Sequence, residues 1–277
     1  LILGYHLIFY PDWLDFYRDD RAALKQNFGS LEAVASFYGG LGPDTLLEQY
    51  RADLRRAVNL GARYVVFHVS DVSLEAGYTY RWLHTNQEVI DAAVEVINLI
   101  LGTETWPFEF LVENQWWPGF TFTEPEETAR LLERIRFAGK GILLDTGHLM
   151  NACTELKTEA EGADYIRSML NRHGSLAKWV RGVHLHQSLS GAYVKAHTGS
   201  LPAGLPEDYM ERFGVSYQHI LQIDQHRPWT DPAILPVLEQ IEPRYLTHEL
   251  SSRGRMARAE AVSIQTRLLR QGGRMRV

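Results

Sequence analysis

Short apolar runs in this chain end, one after another, on a histidine or an acid. LILGYH ends at His6, YVVFH at His68 and FEFLVE at Glu113, while GILLDTGH carries Asp145 and His148. VRGVH ends at His184, ILQIDQH holds Asp224 and His226, and RYLTHE ends at Glu249, making seven such segments. Apolar runs rich in Val, Ile, Leu, Tyr and Phe predict buried strands. Stretches of helical periodicity lie between them. Asp44 opens one, in which Leu46, Leu47, Tyr50, Leu54 and Ala57 share a face and Gly61 stops the helix. Gln87–Leu101, Glu124–Phe137 behind Thr123 as N-cap, Ala163–Leu170 and Pro232–Ile241 are the others.

Strand and helix in alternation mark βα units. The pattern predicts an α/β fold with a parallel sheet, a TIM (β/α) barrel forming one domain over residues 1–277. A ligand-type residue at the end of strand after strand is how such a barrel gathers a site on its top face. One stretch breaks the alternation. Residues 187–221 contain Gly191, Gly199, Pro202, Gly204 and Pro206, with a short helix expected near Glu207–Phe213. A connection this long in a compact domain is usually functional. It leaves the strand end carrying His184 and returns at Asp224, so it is expected to form a lid.

Composition adds a few exclusions. At 277 residues and 45% hydrophobic, the chain can bury one large core. Cys153 is the single cysteine, so an internal disulfide is excluded and a reducing, cytoplasmic setting is expected. No run approaches the roughly 20 apolar residues of a membrane span. The first ten residues lack a basic leader, which argues against a signal peptide; the missing initial Met suggests a trimmed start.

The net charge of −6 does not advertise a nucleic-acid binder. It is unevenly spread. From Leu250 onward, seven arginines (253, 255, 258, 267, 270, 274, 276) stand against Glu260, a net +6 that leaves −12 on the rest. This segment reads as a last barrel helix with solvated arginines, packed through Met256, Ala259, Val262, Leu268 and Leu269. The alternative is a phosphate-facing basic edge.

Imidazole and carboxylate are the donor set of zinc, manganese or iron, so the strand-end residues predict a multinuclear metal site. Asp145-x-x-His148 and Asp224-x-His226 are local pairs able to reach one ion. Glu113 and Glu249 suit bridging, since a carboxylate offers one oxygen to each of two ions. His84, His173 and His219 lack a strand-end context and are read as structural or exposed. His186 and His248 are expected to turn toward the helices or to support the ligands. His186 is a candidate substrate contact, His197 in the lid a reserve ligand or substrate contact, and Trp116 and Trp117 either stack on substrate or pack under the lid.

The succession FHVSD, LVENQ, LDTGH, VHLHQ, DQH and THEL resembles the xylose-isomerase-like TIM barrels, and most of all the endonuclease IV (AP endonuclease 2) family, from about His6 to Glu249. Glu113-Asn114, Asp145-Thr146-Gly147-His148, His184-Leu185 and Asp224-Gln225-His226 carry the family's motifs in order. The resemblance implies up to three divalent ions, usually zinc, held by His6, His68, Glu113, Asp145, His148, His184, Asp224, His226 and Glu249. It further implies cleavage of phosphodiesters at abasic DNA. It also places His6 on the family's third strand, so the first strands are missing or replaced. Gln115-Trp116-Trp117-Pro118-Gly119 is bulkier than the family's small polar residues, the lid is longer and the body is acidic.

Two activities follow. In the first, a hydrolase of phosphoesters, Glu113 and Glu249 are the catalytic carboxylates. In the second, a sugar isomerase or epimerase, Glu113, Asp145, His184 and Glu249 hold one ion, with manganese or magnesium in place of zinc. The partners expected are a small phosphoester, a sugar or abasic DNA, with no membrane; no protein partner can be read.

Overall fold

The computed structural model describes residues 2–272. Arg274 and Arg276 of the basic segment lie outside them. Six parallel strands pair in chain order: β1 (Gly4–His6), β2 (Tyr64–His68), β3 (Glu109–Glu113), β4 (Lys140–Asp145), β5 (Val180–Leu185) and β6 (Tyr245–His248). Helices follow each strand: α1 (Leu14–Tyr17), α2 (Arg21–Phe28), α3 (Leu31–Tyr38) and α4 (Pro43–Asn59) after β1, then α5 (Leu74–Thr79) and α6 (Asn86–Leu101) after β2. Next come α7 (Pro125–Arg134), α8 (Thr146–Asn151), α9 (Glu159–His173), α10 (Gly191–His197), α11 (Tyr209–Ile223), α12 (Ile234–Ile241) and α13 (Arg255–Gln271).

Alternation along the strands sorts the two faces. Val65, Phe67, Phe110, Val112, Ile142, Leu144, Val183 and Leu185 pack outward into the large core shared with the helices. Tyr64, Val66, Leu111 and Leu143 form a small separate cluster on the inner face, with Tyr245 against it. Continuing the inner parity one pleat beyond the strand centres gives His6, His68, Glu113, Asp145, His184 and Glu249. The cluster is the top layer of the inner face, as in a packed barrel.

Among the described residues, β1 and β6 each pair on one side only, so the sheet is an open half-barrel. Side chains, not strands, reach across it. The Tyr64 hydroxyl lies 3.0 Å from the Thr247 hydroxyl, the Tyr64 and Tyr245 rings are 4.4 Å apart, and Arg244 pairs with Glu109.

Three expectations need correction. ILQID is not a seventh strand but the last turn of α11, whose buried Tyr209, Ser216, His219 and Ile223 recur at helical spacing. Glu124, not Thr123, precedes α7, because Pro125 takes the first helical position and the Thr123 hydroxyl turns to Thr121. The packing stripe of α13 is Ala261, Gln265, Leu268 and Leu269; Met256 is 83% exposed because the first turn of α13 stands clear of the sheet.

Candidate metal centre

Glu113 stands at the middle of the inner top layer and is wholly buried. One of its oxygens lies 3.1 Å from His6 Nε2 and 3.2 Å from His68 Nε2; the other lies 3.4 Å from both His148 Nδ1 and His184 Nδ1. Register puts His68 directly beside Glu113, and His184 directly beside Asp145. Three groups result, each with ligand atoms within 4.8 Å of one another: His6, His68 and Glu113; Glu113, Asp145, His184 and Glu249; and His148, His186, Asp224 and His226. The structure thus brings all nine strand-end candidates together. Glu113 belongs to two groups. Glu249, expected to bridge, belongs to one, because it arrives beyond β6 at the sheet's edge.

Backbone contacts aim the rings. His226 lies 3.0 Å through Nδ1 from the Glu249 carbonyl, turning Nε2 to Asp224, 2.5 Å away. His148 lies 3.0 Å through Nδ1 from the Asn114 carbonyl, turning Nε2 to the same carboxylate at 3.3 Å. A ring nitrogen engaged by a carbonyl leaves the other as the ligand. His226 sits at φ 47°, a conformation few non-glycine residues adopt. Asp145 accepts the His148 backbone N–H at 2.6 Å and lies 2.9 Å from His186 Nε2.

Buried atoms without partners test whether metal ions fit. Glu113 Oε1, His184 Nδ1, His68 Nδ1, Asp224 Oδ1 and Glu249 Oε2 are buried and make no hydrogen bond among the described residues. His184 Nδ1 and Glu249 Oε2 are 2.5 Å apart yet not aligned as donor and acceptor. Glu113 Oε1, His184 Nδ1 and Glu249 Oε2 converge without bonding one another, which an ion between them would satisfy. The residues fit divalent metal.

The clustered carboxylates and imidazoles shift one another. Burial would raise Glu113, but the His68 and His184 imidazoles outweigh it and hold the carboxyl well below its usual range. Burial would likewise raise Asp224 and Glu249, which His148 and His184 respectively pull down. Burial lowers His68. It opposes but does not overcome the carboxylates around His148 and His184, which are raised well above the ordinary value, or Asp224 beside His226, which is pushed up to about 9.

The remaining candidates divide. His186 does not turn to the helices: two residues past His184 it keeps the same face, fully buried, its ring stacked 4.1 Å from that of His226. His248 does turn outward, to Gln265 of α13. Trp116 and Trp117 are buried under α11 and wall a cavity that opens onto the cluster. His197, expected near substrate, is exposed on α10 and stacks on Tyr193, because α10 turns Val194 inward to the apolar group that contains Trp116 and Trp117. His173 and His219 are buried, and His84 lies 3.3 Å from Asp15.

Sequence reasoning missed two supports. Asn114 both accepts the Asp145 N–H at 2.8 Å and donates to its carbonyl at 3.1 Å, locking the ends of β3 and β4 together. Gln265 ties α13 to Leu185, His248 and Trp229, and the Trp229 indole in turn donates to the His186 carbonyl. A polar residue inside an apolar helical stripe was the available signal for Gln265.

A family model described as xylose isomerase-like TIM barrel matches residues 3–245. No curated protein matches the chain. Among solved structures, a D-tagatose 3-epimerase-like protein is 16% identical with a TM-score of 0.52, over 99% of this chain and 79% of its own. Mannonate dehydratase from Streptococcus suis serotype 2 is 13% identical with a TM-score of 0.50, over 99% and 94%. Endonuclease IV from Thermus thermophilus is 17% identical with a TM-score of 0.44, over 98% and 100%. At such identities the epimerase-like protein and the dehydratase speak to the fold alone; the family match covers most of the sequence. The chain belongs to the xylose isomerase-like TIM barrel family.

Proposed function

We propose that the cluster holds up to three divalent ions, zinc foremost, and that the protein hydrolyses phosphoesters. The observation that carries this reading is the division of Glu113 between two groups while His148, Asp224 and His226 form a third. An enzyme using one ion has no need of the outer two. Charge favours the same reading. Three divalent ions against the carboxylates of Glu113, Asp145, Asp224 and Glu249 leave a net +2, which attracts a phosphate; a single ion leaves −2, which repels it.

His6, His68 and Glu113 would hold one ion, Glu113, Asp145, His184 and Glu249 a second, and His148, Asp224 and His226 the third. Ions bound there would supply Lewis-acid charge against the phosphoryl oxygens. Glu249 lines the cavity, so it can orient the attacking water and accept its proton. The water oxygen forms the new P–O bond, the ester P–O bond breaks, and the departing alkoxide takes up a proton. His186 acts through Asp145 and His226 as a positioning residue.

Metal content per chain, measured on protein purified without added metal, tests this reading. Close to three ions, mostly zinc, is the expected result. A single ion exchangeable with manganese or magnesium would replace it with the second reading, a sugar isomerase or epimerase, which the self-contained group of Glu113, Asp145, His184 and Glu249 would serve. Glu113→Gln, nearly isosteric, is predicted to lower turnover by at least about a hundredfold and to reduce metal content with the circular dichroism spectrum unchanged. Wild-type turnover in that variant would remove Glu113 from the mechanism.

A further inference from the structure

A cavity of about 380 Å³ runs from the metal groups into the space between α5, the Trp116-Trp117 turn and α11. Its inner end is made by His68, His148, Asp224, His226 and Glu249. Its outer wall has a different chemistry: Val72, Tyr78, Trp116, Trp117, Phe213 and Ile220. The Trp116 and Trp117 rings are 4.3 Å apart, and Trp116 reaches to 5.2 Å from the His148 ring, so the aromatic wall begins at the ligands themselves.

We propose that this cavity takes the apolar, preferably aromatic, body of a small phosphoester, with the phosphate at the metal groups. The inference rests on the hydrolase reading for the phosphate end and on the wall for the rest. Among the described residues no Lys or Arg lines the cavity, so a nucleic-acid strand leaving the site along it would find no partner for its phosphates. A free sugar fares little better. Its several hydroxyls would face a wall that is apolar over most of its extent, with polar groups away from the metal end at Ser73, Tyr78, Gln115, Ser216, Tyr217 and His219 among the described residues, and hydroxyls buried without partners are costly. A flat ring loses nothing there and gains the stacking and burial that paired aromatic side chains offer. The cavity is at the small end of the range for organic ligands, which sets the size at one or two rings.

The test is calorimetric titration of the zinc-loaded protein with inorganic phosphate, glycerol 1-phosphate, 1-naphthyl phosphate and a short abasic oligonucleotide. The naphthyl ester is expected to bind at least about tenfold more tightly than the glycerol ester. Ile220→Trp, which fills the outer cavity without touching the cluster, should erase that preference and leave phosphate binding unchanged. Gly77→Leu fills the same space from α5 and serves if the first variant fails to fold, since a Cβ at Gly77 would lie 3.7 Å from Ile220. Equal affinity for the two esters, or tighter and salt-sensitive binding of the oligonucleotide, would overturn the proposal. The naphthyl ester bound with the stated preference but not cleaved would sink the hydrolase reading and leave this inference standing. Turnover of glycerol phosphate with no naphthyl preference would do the reverse.

Discussion

A methyl group on Gly147 would meet Cε1 of His186 at 2.0 Å, far closer than two carbons approach, and His186 is buried with no room to retreat. The glycine between Thr146 and His148 is therefore required by a ring that comes from another strand end. Gly147→Ala should push His186 off Asp145. Overpacking of this kind costs about 1–3 kcal/mol, a fall of several degrees in Tm for a chain of this size, and should lower the metal content of the His148, Asp224 and His226 group. A variant that melts and loads metal like the parent would show that His186 is not held where the structure has it. Asp71 offers a residue-scale test away from the metal. It accepts the backbone N–H groups of Trp13 and Leu14 at 2.9 Å, and burial, reinforced by Asp15, raises its carboxyl from 3.8 to about 6. The folded protein thus holds this proton more tightly than the unfolded chain does. The penalty for ionising it is absent below about pH 4 and complete above about pH 6, so stability should rise as pH falls from 7 to 5 by about 1.4 kcal/mol, part of the about 3 kcal/mol that the full shift represents. Urea melts of Asp71→Asn should lose that slope. The same slope in parent and variant would place its origin elsewhere.

Among the elements, β2 to β5 were legible because central parallel strands are apolar on both faces and end abruptly on a histidine or an acid. The candidate site was legible for the same reason, since period-two alternation lifts one inner residue per strand to the rim. What escaped was whatever depended on partners far away in sequence. α11 carries Ile220, Leu221 and Ile223 in a cluster that reads as a strand, and only its packing against α5 shows the helical period. The three short helices α1 to α3 left no long periodic stretch to find. Asp20 and Ser30 at the N-termini of α2 and α3, and Gly29 and Gly39 at their ends, were the available signals. They matter to the site because Phe28 and Phe37 pack on Tyr209, and Phe37 also on Phe213, which seats the lid-like segment on the body. At the N-terminus of α11, the Asp208 carboxylate accepts the Glu211 N–H at 3.0 Å. Asp208→Ala should weaken that end by about 1 kcal/mol, speed amide exchange over 209–216 and raise KM more than it lowers kcat. A loss confined to kcat would mean that α11 acts on the chemistry rather than on substrate retention.

The metal groups draw on the whole width of the sheet. His6 comes from β1 and Glu249 from just beyond β6, the two strands that pair on one side only among the described residues, while Glu113 and Asp145 come from the fully paired centre. In an open half-barrel, backbone hydrogen bonds cannot hold the edges toward each other. At the lower end, the contacts of Tyr64 with Thr247 and Tyr245 do so; at the upper end, ions shared by the three groups would do so. Ions bound only by the folded state add stability by mass action, about 2.7 kcal/mol per site at a hundredfold excess over Kd. Removing them leaves ionised carboxylates facing one another in a buried layer. Stripping with a chelator should therefore lower Tm by several degrees, and unevenly in space. Hydrogen exchange measured with and without chelator is expected to rise most over residues 4–8 and 245–250 and least over 109–113 and 140–145, with protection restored by zinc. An increase spread evenly over all six strands would mean that the ions stabilise the sheet as a unit and do not tie its edges together.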